Sequence, residues 1–259
     1  MTAPMPVLFV GHGSPMNALE KNEFTDGLHT LGQTLPRPQA IACVSAHWET
    51  QGTQVLYKSD PPTIHDFYGF PKPLFDMQYP AMGPLSVAQE TKRLIGDASL
   101  NETWGFDHGT WAVLAHMYPH ADIPTFQISL DINKSMAEHL EVGRKLQALR
   151  KQGVLILGSG NIVHNLGKID WKKRDSALPW NSNFDGNIAQ ALEARDELAL
   201  TDIFKKYPGD AELAVPTPEH YLPLLYCQGA SAPTDKLSYP YQGYEYGSLS
   251  MRSVLWQAA

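Results

Sequence analysis

The chain reads as a single α/β domain with a mostly parallel central sheet flanked by helices on both faces. Three observations predict this. Continuous apolar runs at 5–10, 40–46 and 154–160 read as strands covered on both faces, because a half-exposed strand would alternate instead. Segments of helical spacing stand between the runs, as a parallel sheet with crossover helices requires. No internal repeat, low-complexity tract or linker breaks the alternation, so residues 1–259 are expected to form one unit.

The elements follow in order. Residues 5–10 are the first buried strand, and Leu19, Phe24, Leu28 and Leu31 give helical spacing to 16–35. "AIACVSA" at 40–46 is the second strand, and "TQVLY" at 53–57 alternates as a neighbouring strand would. The stretch 59–84 is too rich in proline and aromatics for a regular element, and a loop of that length in a compact domain is usually functional. Residues 85–97 and 110–118 read as helices, 124–130 as a strand and 135–151 as an amphipathic helix that Gly153 stops. The run 154–160, "VLILGSG", is the clearest buried strand. A long helical region is expected over 184–207, and another helix opening at Thr217-Pro218 with threonine as cap and proline in the first turn. Residues 248–256 are expected to close the sheet.

The composition, with 43% apolar and 18% charged residues, is that of an ordinary globular protein. A formal charge of −7 argues against nucleic acid or an anionic membrane as partner, since both need a basic face. The start of the chain lacks a secretory signal pattern and no apolar run approaches the ~18 residues of a membrane span, so a cytoplasmic protein is expected. Cys43 and Cys227 each lie in an apolar run and read as reduced core residues.

Ten histidines are the anomaly, and their placement matters more than their number. His12 lies just past the first apolar run, His47 directly follows "IACVSA", and His164 follows "VLILGSGNIV". Ligands of open α/β sheets bind outside the carboxyl ends of the strands, so three parallel neighbours would bring these imidazoles to one edge. His108 precedes a helix and His220 is expected in the first turn of one, which adds two more at element ends. Glycines beside His12, and at 158 and 160 before His164, are expected to let the backbone approach a ligand closely. Imidazole is the commonest metal ligand and the usual acid or base near neutral pH. The chain has no HExxH or CxxC, and "GSGNIV" fails the dinucleotide fingerprint at Val163. Neither Ser14 nor Ser159 has the flanking glycines of a nucleophile elbow.

The segments "GHGSPM", "SAHW", "PPTIHDFYGFP", "WGFDHGTW", "GNIVHNL" and "PTPEHYLPLLY", in that order and spacing, resemble the 4,5-DOPA dioxygenase extradiol family, one of the class III (LigB-type) extradiol ring-cleavage dioxygenases. The resemblance covers nearly the whole chain. It implies a LigB-like catalytic domain over 1–259 that inserts O2 beside the hydroxyls of a catechol such as DOPA. It further implies a divalent metal, Fe(II) for turnover with Zn(II) also accommodated. Carried over by position, His12, His47 and His220 match metal ligands. His164 matches an acid/base histidine that can also reach a bound zinc as a fourth ligand, and His108 matches a second catalytic histidine near the O2 and the hydroxyls. The wider class uses two histidines and a carboxylate, so Glu219 competes with His220 for the third ligand position. The loop 61–71, with His65, Phe67, Tyr68 and Phe70, is expected to cover the substrate ring, or else to form a surface or dimer contact. A monomer and a homodimer are both compatible with the sequence. Two other readings use the same scaffold: a zinc-dependent hydrolase with His164 as base, and a metal-binding protein without catalysis.

Overall fold

The computed structural model describes residues 3–259. Among the described residues ten strands form in chain order: β1 Val7–Gly11, β2 Ala40–Thr50, β3 Gln54–Leu56, β4 Ser99–Asn101, β5 Thr125–Asp131, β6 Val154–Gly160, β7 Lys236–Tyr241, β8 Tyr244–Glu245, β9 Leu249–Ser250 and β10 Ser253–Gln257. The first five helices are α1 Glu23–Thr34, α2 Lys72–Phe75, α3 Leu85–Ile95, α4 His108–Met117 and α5 Met136–Arg150. The others are α6 Pro179–Ala194, α7 Glu197–Thr201, α8 Ile203–Lys206, α9 Asp210–Ala214 and α10 Leu222–Ala230.

Eight strands make the main sheet in the order β4-β3-β5-β2-β6-β1-β10-β7, while β8 and β9 pair separately. The centre, β5-β2-β6-β1, is parallel throughout. Every residue of β1 and β6 is buried, which is why both read as unbroken apolar runs. Burying each Leu, Ile, Val or Phe side chain there contributes about 1.5–3 kcal/mol, an upper estimate for a realistic unfolded chain. The alternation of β6 shows the two layers of helix. A Cβ on Gly158 would meet Cys227 and Pro223 of α10, whereas Ser159 turns the other way and donates to the Gly109 carbonyl in α4 at 2.5 Å. Helices α3, α5 and α10 cover the first face; α4, with α1 against it, covers the second.

The structure departs from the sequence expectation in several places. Only Glu23–Thr34 of 16–35 is α-helix, started by an Asn22–Thr25 capping box, with a 3-10 turn at Pro15–Ala18 before it. The region 184–207 is three helices, because Arg195 is left-handed (φ 52°), with its guanidinium on the Ala232 carbonyl and the Ser231 hydroxyl. The helix expected at Thr217-Pro218 starts instead at Leu222, so Pro223, which has no N–H, falls in its first turn. Thr217 spends its hydroxyl on Glu219, and His220 lies in the turn before the helix. Residues 248–256 split into β9 and β10, and β10 is covered on its outer side by the half-exposed edge strand β7, which the sequence reading left out. The short elements β4, β8 and α9 were also missed. So was α2, one turn of helix inside the stretch 59–84 expected to hold no regular element, which starts with a proline in its first turn. Both cysteines are free and buried. Among the described residues, no helix is long and apolar enough to cross a membrane.

Candidate active site

Sheet register sets the first part of the site. Gly11 pairs with Gly160, and Ser45 pairs with Ser159, so His12 and His47 leave the sheet at nearly one level on either side of β6. Strands lie about 4.8 Å apart, which puts these two backbones roughly 10 Å from each other across β6. The β2–β5 register shifts between Val44 and Glu49, the bulge that carries His47. A bulge re-aims a side chain, and here the His47 ring leans over the end of β6 until its Nε2 is 3.1 Å from His12 Nε2.

Each of these rings is held from behind. Ser159 gives its proton to Gly109, so its oxygen accepts from His12 Nδ1 at 3.0 Å. That fixes the proton of His12 on Nδ1 and leaves Nε2 with a free lone pair. His108 opens α4, capped by the buried Asp107, whose carboxylate is held by Ser45 (2.6 Å) and Gln127 (2.7 Å). Its ring Nδ1 and its backbone N–H both meet the Asp66 carboxylate at 2.9 Å, and His47 Nδ1 lies 3.6 Å from the same carboxylate. Burial raises the Asp66 pKa, but the hydrogen bonds and charge of His108 outweigh it and hold the carboxyl below its ordinary value.

The opposite side comes from irregular chain. His164 follows β6, its amide bonded to Ala214, and its ring stacks on His220 at 3.4 Å between centroids and 5° between planes. His220 Nδ1 meets Glu219 Oε1 at 3.0 Å, which also accepts from Thr217, so Nε2 of His220 is the atom left free. Burial would raise Glu219; its hydrogen bond to His220 and that ring's charge bring it down to about 2. The close approach of this side requires Gly160, where a Cβ would stand 2.1 Å from the His220 carbonyl. Gly13 is left-handed (φ 62°) and faces Met251 and Glu245. Gly11, Gly158 and Gly160 therefore admit neighbouring chain, while Gly13 also lines the cavity.

Burial first, and neighbouring imidazoles second, push His12, His47 and His164 down, His164 to about 2. His220 is lowered by burial against the opposing pull of Glu219. These rings are neutral near pH 7, the form that ligates metals. His12, His47 and His108 bring ligand atoms within 4.8 Å of one another, and so do His164, Glu219 and His220. Two nitrogens about 2.0–2.1 Å from one ion, at octahedral to tetrahedral angles, stand about 2.8–3.4 Å apart. The 3.1 Å separation of His12 and His47 fits that requirement. The free lone pair of His12 Nε2, with the Nε2 of His47 beside it, gives a cation two donors to share.

The five histidines line a cavity of about 560 Å3 with Asp66, Phe67, Phe70, Trp171 and Tyr246 among its other walls. Of the expected site residues, His12, His47, His108, His164, His220 and Phe67 meet here. His65 does not: its Nε2 is on the Met77 carbonyl at 3.0 Å, and its ring packs behind Phe67 against Phe75 and Trp111. It supports the covering loop rather than touching the cavity. Sequence reasoning missed Asp66, Ser159, Trp171 and Tyr246. Only Asp66 had a visible signal, a carboxylate inside the quoted "IHDFYGF".

A parallel sheet whose strand ends deliver histidines to an apolar-walled cavity forms a site that could hold a metal ion beside a small molecule. The family model for the catalytic LigB subunit of aromatic ring-opening dioxygenase matches residues 4–247, and the chain belongs to that family. It is an extradiol ring-opening dioxygenase by class. The chain is 48% identical over 254 residues to the 4,5-DOPA dioxygenase extradiol of Escherichia coli (strain K12), covering 96% of this chain and 94% of the relative. It is 36% identical to the 4,5-DOPA dioxygenase extradiol of Portulaca grandiflora, with 95% and 93% covered. Among solved structures, an uncharacterized protein of Escherichia coli K12 superposes with a TM-score of 0.84 at 44% identity, covering 97% of this chain and 99% of that one.

Proposed function

We propose that this chain opens the ring of a catechol such as DOPA, beside its two hydroxyls, with O2 as co-substrate and one divalent metal as cofactor. The observation that supports this best is the pair of Nε2 atoms of His12 and His47, 3.1 Å apart at the floor of the cavity. His220 is the third ligand, because Glu219 is engaged on its Nδ1 and acts by orienting it. His164, stacked on His220, is the candidate fourth ligand when substrate does not occupy the site. Fe(II) in a site of this kind supplies the redox partner for O2, which Zn(II), with one oxidation state, does not.

The chain's own residues do the rest. Phe67 and Phe70 give the ring an apolar wall, and the neutral His164 accepts a proton from a catechol hydroxyl. His108, with Asp66 at its back, takes up a proton on Nε2 and in that protonated form gives it to the reacting oxygens. The test is loading with Fe(II) in the absence of air, then DOPA and air. Oxygen uptake with a yellow ring-opened product is expected. A fully iron-loaded protein that consumes no O2 with any catechol would overturn the proposal.

A further inference from the structure

The proline-aromatic loop does more than cover a ring. It is fastened to the start of α4 at several points: Ile64 N–H donates to Phe106 at 2.7 Å, Phe106 N–H donates to Pro62 at 2.8 Å, and Trp111 Nε1 donates to Ile64 at 2.9 Å. This docking carries Asp66 to where one carboxylate meets two ring nitrogens and one helix amide. The next residue, Phe67, sets its ring 5.7 Å from that of His108. Cavity wall and imidazole support thus come from adjacent residues of one loop.

We propose that Asp66 is a positioning residue that acts through His108: it holds the ring proton on Nδ1 so that Nε2 faces the cavity as the proton-exchanging atom. The chemistry of the contact carries this. An ionised carboxylate can only accept, so an Nδ1 at 2.9 Å from it must bear the hydrogen. The same carboxylate stays against Nδ1 while Nε2 gives or takes a proton, as in other carboxylate–imidazole pairs. A purely structural role is separable. The second contact, from the His108 backbone N–H to Oδ1, satisfies a free amide of the first turn of α4. Asparagine keeps an oxygen for that amide but presents an N–H to Nδ1, which then has to become the acceptor. Asp66→Asn therefore preserves the helix start and turns the tautomer.

The assignment of a proton-exchanging role rests on the ring-cleavage reading; the tautomer does not. The experiment is nitrogen NMR of histidine-labelled, zinc-loaded protein, with steady-state kinetics of the iron-loaded form alongside. His108 in the unmodified chain is expected as the Nδ1–H tautomer, in Asp66→Asn as Nε2–H, and in Asp66→Glu as Nδ1–H again. The catechol turnover number of Asp66→Asn is expected to fall on the order of 10–100-fold, with KM kept within about threefold, and Asp66→Glu to recover part of the loss. An unchanged His108 tautomer in Asp66→Asn overturns the proposal, whether or not stability or activity falls. A turned tautomer in a chain that cleaves no catechol even unmodified supports the role of Asp66 on His108 and overturns the functional reading instead.

Discussion

The two sides of the cavity are built on different principles. His12, His47 and His108 stand on a strand end, a strand bulge and a helix start, with Nδ1 of His12 on Ser159 and of His108 on Asp66. His164 and His220 stand on irregular chain and hold each other by stacking, with Glu219 behind one of them. The first side takes its geometry from sheet register, which cannot shift without moving the core. The second takes it from a turn and a stacked pair, which can adjust to what binds. Ion binding draws on both sides, His12 and His47 from the first and His220 from the second, and so does proton exchange, with His108 from the first and His164 from the second.

Substitutions can break this contrast, and the largest effect is expected on the rigid side. His12→Ala should abolish metal retention and ring cleavage, with a loss on the order of 1,000-fold or more in kcat/KM. Its melting temperature should change little, because the ring is at the cavity rather than in the apolar core. Elemental analysis and calorimetry check both halves, and retained metal would contradict the assignment. His164→Ala should keep the metal and lose about 100- to 10,000-fold in turnover. Equal metal loss in the two variants would remove the distinction between the sides. Ser159→Ala takes away the acceptor on His12 Nδ1 and should weaken metal affinity on the order of 10-fold, read by competition with a chelator.

A separate effect, on stability rather than on metal or turnover, comes from behind the adjustable side. His139 of α5 bonds the Tyr226 hydroxyl of α10 at 3.0 Å, and burial lowers its pKa from 6.5 to about 4. The unfolded chain therefore takes up a proton that the folded one refuses. Stability is full above pH 6.5 and is lost as the pH falls towards 4, by roughly 3 kcal/mol at 1.36 kcal/mol per pKa unit. Melting temperature against pH should show that slope in the unmodified chain and a flatter one in His139→Phe.

The same contrast explains what was legible. Buried parallel strands write themselves as apolar runs, so β1, β2 and β6, and the histidines at their ends, could be located from sequence. The strand β7 could not: its burial alternates, and Pro240 lies within it, as an edge position permits. The turn that holds His220 was mistaken for a helix start because Thr217-Pro218 imitates a cap, and only the position of Pro223 corrects it. Asp66 was overlooked beside its neighbour His65, although the loop docks the carboxylate at the cavity and the imidazole behind it. Which of two adjacent polar residues faces a site is decided by tertiary contact.

The central claim is that one ion joins the two sides through His12, His47 and His220, with His108 standing by as a proton group. Its most direct test is the metal content of protein prepared without air, compared with His220→Ala and His108→Ala. One ion per chain is predicted in the unmodified protein and in His108→Ala, and none in His220→Ala. An ion kept without His220 but lost without His108 would place it wholly on the rigid side and contradict the account.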